Sequence, residues 1–193
     1  MLSPEALSEL FLDARTHRAW RAEPVDEATL VRLYELLRMA PTAVNCQPLR
    51  IVFVRSQEAK KQLEPCLAKG NVEKTMTAPV TAILGYDLEF WTHLHELFTA
   101  ADLRKDFEGK PAHIEQTAKL NATLQCGYFI LAARSLGLDC GPMAGFDNAK
   151  VDEAFFGGTQ HKSIILCNVG HGDASKLYPR APRPAFDRFC KVL

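Results

Sequence analysis

The sequence predicts one α+β domain spanning residues 1–193. Three observations predict it: short apolar runs of strand character alternate with segments of helical period, no repeat or low-complexity linker divides the chain, and 193 residues suffice for one hydrophobic core. The 47% hydrophobic and 24% charged fractions are typical of a globular protein in water. Because 23 basic residues balance 23 acidic ones, the charge gives no reason to expect bulk attraction to nucleic acid or membranes.

Residues that cap or break helices set the predicted element bounds in the first half of the chain. Serine and aspartate are preferred N-caps, proline is tolerated in the first helical turn, and glycine commonly follows the last helical residue. On these grounds the predicted elements are a helix from Ser3, a helix from Asp26 to Pro41, a strand at 50–55, a helix at 56–69 before Gly70, and a strand at 80–86.

The longest predicted helix covers residues 114–136, and its apolar stripe predicts a central, buried position. The stripe consists of Ile114, Thr117, Leu120, Leu124, Tyr128 and Leu131. A short helix capped by Asp147 and a buried strand at 163–169 are predicted to follow. The segment 87–113 has no clear period and is interpreted as either a lid over a site or surface padding. The proline-rich stretch 176–187 also carries aromatic side chains, so we predict that it runs extended across another surface.

Absent patterns disfavour several kinds of site. The chain has no G-x-S-x-G elbow, no P-loop and no local Cys-His signature. Its six cysteines form no C-x-x-C pair, which disfavours a zinc site and favours free, buried thiols over disulfides. His93 and His95 could pair on a metal if they lay on a strand, but their surroundings are helix-like, so no metal is expected. With no signal peptide and no apolar run near the roughly 20 residues of a membrane span, the expected location is the cytoplasm.

A short G-x-G pattern offers one alternative function. Gly170 and Gly172 follow a predicted strand, as glycines do in a dinucleotide-binding turn. Such a turn must open a helix, and the residues after Asp173 lead into prolines instead. A nucleotide-binding module that uses this turn is kept as an alternative.

Other residues suit an anionic, planar, hydrogen-bonding ligand. Arginines can hold a phosphate bidentately, and amide side chains can satisfy both the donors and the acceptors at the edge of a heterocycle. The candidates for phosphate are Arg15, Thr16, His17, Arg18, Arg180 and Arg183, and those for the heterocycle are Asn45, Gln47, Asn71 and Lys74. The glycines in the loop 140–146 permit close approach of the backbone to a flat ring, or else simply form a tight turn.

Four motifs in order resemble the FMN-dependent nitroreductase family. A-P-T-A-V-N-C-Q-P is similar to a segment that packs beside the flavin in that family, and N-V-E-K is similar to one that faces the pyrimidine edge of its ring system. L-G-L-D-C-G-P-M-A-G-F-D resembles the loop at the reactive face of the flavin. G-H-G-D-A-S-K-L-Y-P-R-A-P-R-P resembles the segment that returns a basic residue to the phosphate. The resemblance covers essentially the whole chain and is greatest to a branch that holds the malonic semialdehyde reductase of pyrimidine degradation.

The resemblance implies a fold, a partner and a set of cofactor contacts. The implied fold is nitroreductase-like: a central, mostly antiparallel sheet flanked by helices, with an extended C-terminal segment exchanged in a homodimer that has FMN at its interface. The implied FMN contacts are Arg15, Thr16, His17, Arg18, Pro41, Thr42, Asn45, Gln47, Asn71, Lys74, Pro142, Met143, Ala144, Gly145 and Arg180. The resemblance leaves open whether Arg18 or Arg183 joins Arg15 at the phosphate. Ala144 stands where many relatives carry glutamate.

The implied function is transfer of a hydride from NADH or NADPH, through FMN, to a small acceptor. FMN carries the chemistry, so no catalytic side chain is expected. The acceptor suggested by the branch is malonic semialdehyde, reduced to 3-hydroxypropionate, and Arg104 or Lys105 is the candidate cation for its carboxylate. The alternatives are a nitroaromatic or quinone reductase, a flavin-binding protein without fast turnover, and a nucleotide-binding module without flavin.

Overall fold

A four-stranded antiparallel sheet forms the centre of the protein, as seen in a computed structural model that describes residues 1–193. Its strands are β1 (Leu49–Val54), β2 (Val80–Asp87), β3 (Asp139–Met143) and β4 (His161–Gly170). The spatial order is β1-β2-β4-β3, and every neighbouring pair is antiparallel. All eight residues of β2 are buried, because this strand lies inside the sheet with helices on both faces. The predicted α+β class and the three main strands are confirmed.

Eight helices surround the sheet. They are α1 (Pro4–Leu7), α2 (Glu27–Leu37), α3 (Gln57–Leu63), α4 (Val72–Met76), α5 (Leu94–Leu97), α6 (Pro111–Ser135), α7 (Asn148–Phe156) and α8 (Phe186–Phe189). The predicted caps of α2 and α7 are confirmed, since Asp26 accepts from the amide of Thr29 and Asp147 from that of Lys150. Helix α3 is shorter than predicted because Pro65 follows, and the chain continues as a 3₁₀ turn. Helix α1 is also short and runs into a π-helical turn at Ser8–Leu12.

Helices α2 and α6 cover one face of the sheet, and α3 and α7 cover the other. The segment 87–113 builds a smaller core of its own around Phe90, Leu94 and Phe107, packed against the first half of α6. Five of the six cysteines are buried and all six are free thiols, as predicted. No helix combines the length and apolar character needed to cross a membrane.

Most of the apolar stripe of α6 points away from the core, which corrects the prediction that this stripe is buried; of its members only Ile114 is buried. Leu120, Leu124 and Tyr128 are 62%, 51% and 41% exposed. The face turned inward instead carries small side chains, Phe129 and two amides, those of Asn121 and Gln125. Both amides are satisfied there: Asn121 accepts from the backbone amide of Ala43, and Gln125 from that of Leu49. These hydrogen bonds allow a face of mostly small side chains, with two amides among them, to be the buried one.

At one end of the sheet, a buried carboxylate has two cationic neighbours. The carboxylate of Asp87 is 2.6 Å from the guanidinium of Arg50 and 3.8 Å from Nε2 of His161. Burial lowers the pKa of His161 and outweighs the opposing effect of Asp87. The folded protein therefore holds its proton at His161 less tightly than the unfolded chain does.

This difference predicts lower stability in mild acid. As pH falls through about 6.5 toward the lowered pKa, the unfolded state binds a proton that the folded state does not, so the free energy of unfolding declines. Urea denaturation at pH 7.5 and 5.5 should show a smaller decline in His161→Gln than in the wild type. His93→Gln is the matched control, since His93 is exposed and has no bonded partner. An equal decline in His161→Gln and the wild type would refute this assignment.

Candidate functional site

A cavity of about 1190 Å³ lies between the N-terminal segment, the start of α4, strand β3 and the C-terminal segment. Its lining is strongly cationic. The basic residues there are Arg15, Arg18, Lys74, Arg134, Lys176, Arg180 and Arg183. The only carboxylate in the lining is that of Glu73, and none of the seven cations forms an ion pair within the chain. The cavity is therefore suited to an anionic ligand.

Backbone pairing places the segment 15–18 on the wall of this cavity. Thr16 forms a parallel bridge with Cys140 of β3, and the amide of His17 donates to the Cys140 carbonyl (2.9 Å). Further along, Trp20 bridges to Gly172, beyond the end of β4. The segment is thus held between two strand ends, and Arg15 and Arg18 line the cavity.

The His17 side chain is committed to a structural contact. It is 5% exposed, and its Nε2 lies 3.2 Å from Oδ1 of Asp139. Its other ring nitrogen, Nδ1, is buried without a partner, against Gly172. The second oxygen of Asp139 accepts from the Gly172 amide (2.8 Å). His17, Asp139 and Gly172 thus form one compact unit behind the cavity wall.

The N-terminal and C-terminal segments meet through three arginine contacts. Arg15 donates to the carbonyl of Tyr178, and Arg180 donates to that of Ala14 (3.2 Å). The guanidinium of Arg18 lies 4.5 Å from the centre of the Tyr178 ring, a cation–π distance. These contacts bring the predicted cations from opposite ends of the chain into one site.

Lys74 contributes a partly buried cation from α4. Burial lowers the pKa of its ammonium group, and the charge of Arg18 lowers it further. Both cations line the same cavity. A negatively charged ligand between them would offset their repulsion.

Strand β3 forms the opposite wall, and the loop that follows it lies beside the cavity. Gly141 and Pro142 line the cavity. A Cβ at Gly141 would lie 2.6 Å from the carbonyl oxygen of His17, so only glycine permits this close packing. The Asn71 amide donates to the carbonyl of Gly145 (2.7 Å) and so ties α4 to this loop. Met143 points into the core.

The predicted segment 41–47 lies apart from the cavity. Gln47 donates to Oδ1 of Asn45 (2.8 Å) and accepts from the Gln125 amide (2.7 Å), and Asn45 donates to the carbonyl of Leu97 (2.9 Å). Three residues here adopt left-handed backbone angles, with φ of 49° at Val44, 52° at Asn45 and 42° at Gln47. Such angles are costly for a β-branched valine, and this network holds them in place.

The predicted ligand residues therefore fall into three groups. Lining the cavity are Arg15, Thr16, His17, Arg18, Lys74, Pro142 and Arg180; beside it are Asn71, Met143, Ala144 and Gly145; separate from it are Pro41, Thr42, Asn45 and Gln47. The expectation that the third group binds the cofactor stays a prediction.

Among the lining residues that sequence reasoning missed are two cations, Arg134 and Lys176, and the aromatic Tyr178. Arg134 was hidden at the end of a long helix, and its guanidinium donates to the Leu10 carbonyl (2.9 Å). Lys176 and Tyr178 lie in the stretch whose path could not be read from a period. The clustering of Lys176 with Arg180 and Arg183 was the one available signal.

Comparison with known proteins places this fold and chain among described relatives. The model of the Nitroreductase family matches residues 12–171. A Stutzerimonas stutzeri protein named "Putative NADH dehydrogenase/NAD(P)H nitroreductase" is 55% identical over 189 residues, which cover 98% of this chain and 96% of the relative.

Two solved structures share the fold. A Bacillus subtilis protein described as a "putative nitroreductase" superposes with a TM-score of 0.86 at 19% identity, covering 99% of this chain and 100% of the other. An Exiguobacterium sibiricum protein described as a "putative nitroreductase in complex with FMN" superposes with a TM-score of 0.83 at 18% identity, covering 97% of both chains. At these identities the two structures establish similarity of fold.

Proposed function

Because this chain belongs to the nitroreductase family and is an FMN-dependent NAD(P)H oxidoreductase, we propose that its physiological acceptor is a short aldehyde bearing a carboxylate, such as malonic semialdehyde. The product would be 3-hydroxypropionate. The observation that carries this proposal is the surplus of cations in the cavity, seven against one carboxylate. A neutral nitroaromatic or quinone acceptor would not require that surplus.

The residues of the cavity fit FMN. Its volume exceeds the roughly 300–1,000 Å³ of ordinary small-molecule sites, which leaves room for a cofactor and a second ligand. The unpaired guanidinium groups can receive a phosphate dianion. Pro142 of β3 adds an apolar surface to the wall of the cavity.

We assign the parts of the site as follows. Arg15 and Arg180, with Arg18 behind them, bind the phosphate. Lys74 directs positive charge at the ring system, and the Asn71–Gly145 contact sets the distance between α4 and the loop facing it. Bound FMN supplies the redox chemistry, accepting hydride from NAD(P)H and delivering reducing equivalents to the acceptor. The protein contributes orientation, charge and exclusion of water, and no nucleophilic side chain is needed.

The cation for the acceptor's carboxylate is better sought in the C-terminal segment than in the segment 87–113. Of the two candidates in that segment, Arg104 and Lys105, neither lines the cavity, and Arg104 already binds Asp102 through Nε (2.9 Å) and Nη2 (2.7 Å). Lys176 and Arg183 line the cavity and have no carboxylate partner. We therefore assign them to the acceptor.

Steady-state oxidation of NADH and NADPH tests the acceptor. With FMN bound, kcat/KM for malonic semialdehyde should exceed that for the neutral propanal about tenfold or more, because a charged contact contributes about 1.5–3 kcal/mol. Lys176→Met should raise the KM for the semialdehyde and leave turnover of a quinone unchanged. Faster turnover of nitroaromatics or quinones than of the semialdehyde would favour the reductase alternative. Absence of turnover with every acceptor would favour a flavin-binding protein.

We also propose that the enzyme is a homodimer, with the cofactor at the interface and the C-terminal segments exchanged. The exposed stripe of α6 supports this, as do Phe186 and Phe189 of α8, which are 67% and 70% exposed. Asn121 and Gln125 hold the segment 41–47 directly beside that stripe. A second copy docked on the stripe would thus meet Thr42, Asn45 and Gln47, which could then reach its FMN. Six free cysteines suit the reducing cytoplasm, where we place the enzyme.

A charge in the middle of the stripe should separate the dimer. Leu124→Glu would bury an unpaired carboxylate in the interface, so sedimentation velocity should show monomers where the wild type shows dimers. Lys61→Glu, which places the same side chain on the exposed surface of α3, should remain dimeric. A dimeric Leu124→Glu variant would exclude this face as the interface.

A further inference from the structure

Lys60 on α3 is buried in a way that stability alone does not explain. Lys60 is only 2% exposed, and no carboxylate pairs with its ammonium group. Lysines are almost never fully buried unless paired, because the ammonium loses its hydration. Burial lowers the pKa of Lys60 to about 8. An apolar side chain at this position would avoid that cost.

The ammonium of Lys60 is bound to one end of α4. It donates to the carbonyl of Thr75 (2.8 Å) and to that of Ala78. The last carbonyls of a helix have no partner within the helix, and a cation there complements the helix dipole. Lys60 therefore satisfies the C-terminal end of α4 from a neighbouring helix.

Helix α4 depends on such outside contacts. It has five residues, and helices this short do not hold their own conformation in water. Two further side chains bind its C-terminal half: Nε1 of Trp20 and Nδ2 of Asn168 both donate to the carbonyl of Lys74 (2.9 and 3.0 Å). Of these three anchors, Lys60 is the only one that carries a charge.

Helix α4 presents Glu73 and one cation, Lys74, to the cavity, and the anchors bind the carbonyls of Lys74 itself and of Thr75. We propose that Lys60 is a positioning residue for the cofactor site, which fixes α4 through the Thr75 and Ala78 carbonyls and so places the Lys74 ammonium against the ring system of FMN. This inference rests on the assignment of Lys74 in the proposed function.

Binding of FMN to the apoprotein, followed by quenching of flavin fluorescence, tests the proposal. Lys60→Met keeps the length of the side chain and removes its charge and donors, and it should raise the Kd about tenfold, the size of one to two lost hydrogen bonds. Lys61→Met is the matched control, since Lys61 is the exposed neighbour on the same helix, and it should leave the Kd unchanged. If Lys60→Met does not fold, Lys60→Gln, which keeps a neutral donor, replaces it.

A double-mutant cycle separates positioning from a merely structural role. If Lys60 acts through Lys74, then Lys60→Met should add little to the loss already caused by Lys74→Met, and both single variants should shift the absorption spectrum of bound FMN in the same direction. Additive losses, or a lowered melting temperature with an unchanged Kd, would overturn the proposal. An unchanged Kd in Lys74→Met alone would instead show that the assignment of Lys74 under the proposed function is wrong.

Discussion

Arg15→Ala is expected to weaken FMN binding by about 10- to 100-fold, since a hydrogen bond to a charged group contributes about 1.5–3 kcal/mol. The Arg15 guanidinium lines the cavity and also donates to the carbonyl of Tyr178. Its loss removes a partner of the phosphate and loosens the segment whose Tyr178 ring stacks under Arg18. Titration of the apoprotein with FMN at a fixed, near-physiological salt concentration measures the effect.

Riboflavin makes this test specific for the phosphate. It has the same ring and ribityl chain as FMN and lacks the phosphate, so Arg15→Ala should leave its Kd nearly unchanged. Arg32→Ala, on the exposed surface of α2, is the control and should bind both ligands as the wild type does. Equal losses for FMN and riboflavin would mean that Arg15 supports the site without contacting the phosphate.

Gly172→Ala is expected to lower the free energy of unfolding by about 2–3 kcal/mol, the upper range for overpacking of a core. A Cβ at this position would overlap the ring of His17. The ring has no room to withdraw, since it is buried and its Nε2 lies 3.2 Å from Asp139. The backbone of Gly172 cannot shift without breaking its own bond to Asp139. For a chain of this length the melting temperature should fall by about 4–10 °C, as calorimetry of the apoprotein would show.

Two further variants identify the cause of the expected loss of stability in Gly172→Ala. Gly70→Ala serves as control, because no atom lies within 4 Å of the added Cβ, and it should change the melting temperature little. In the Gly172→Ala/His17→Ala double variant the overlap is gone, so it should be less destabilised than the two single losses added together. If the Gly172→Ala variant were as stable as the wild type, the unit of His17, Asp139 and Gly172 would be able to accommodate the added methyl group without cost.

Much of the fold was predictable from local signals. The strand at 80–86 is observed at Val80–Asp87, and the α2 cap at Asp26 is where sequence placed it, because apolar runs and capping side chains act over a few residues. The orientation of α6 was not predictable in this way. Periodicity identified its stripe, but two buried amides and their partners on other segments decide which face lies inward. Sequence alone does not show such distant partners.

In the candidate site, too, local sequence patterns predicted some features, and others depend on residues distant in the sequence. Residue types predicted that Arg15, Arg18 and Arg180 bind an anion, and the fold brings them together. The separation of the segment 41–47 from the cavity depends on hydrogen bonds to α6 and to Leu97, which no local pattern reveals. Nor did any pattern indicate Lys60, which reads as an ordinary helix-surface lysine until its burial is seen.

The joining of the two chain ends at the cavity has a consequence for biosynthesis. Arg15 binds the carbonyl of Tyr178, and Arg180 binds that of Ala14, so residues that meet at the cavity are separated by more than 160 positions in the sequence. During translation the first arginines leave the ribosome long before their partners are made. A nascent chain can pair β1 with β2 while the cavity still lacks one wall. We therefore expect the cavity to be completed only after the C-terminal segment has been made.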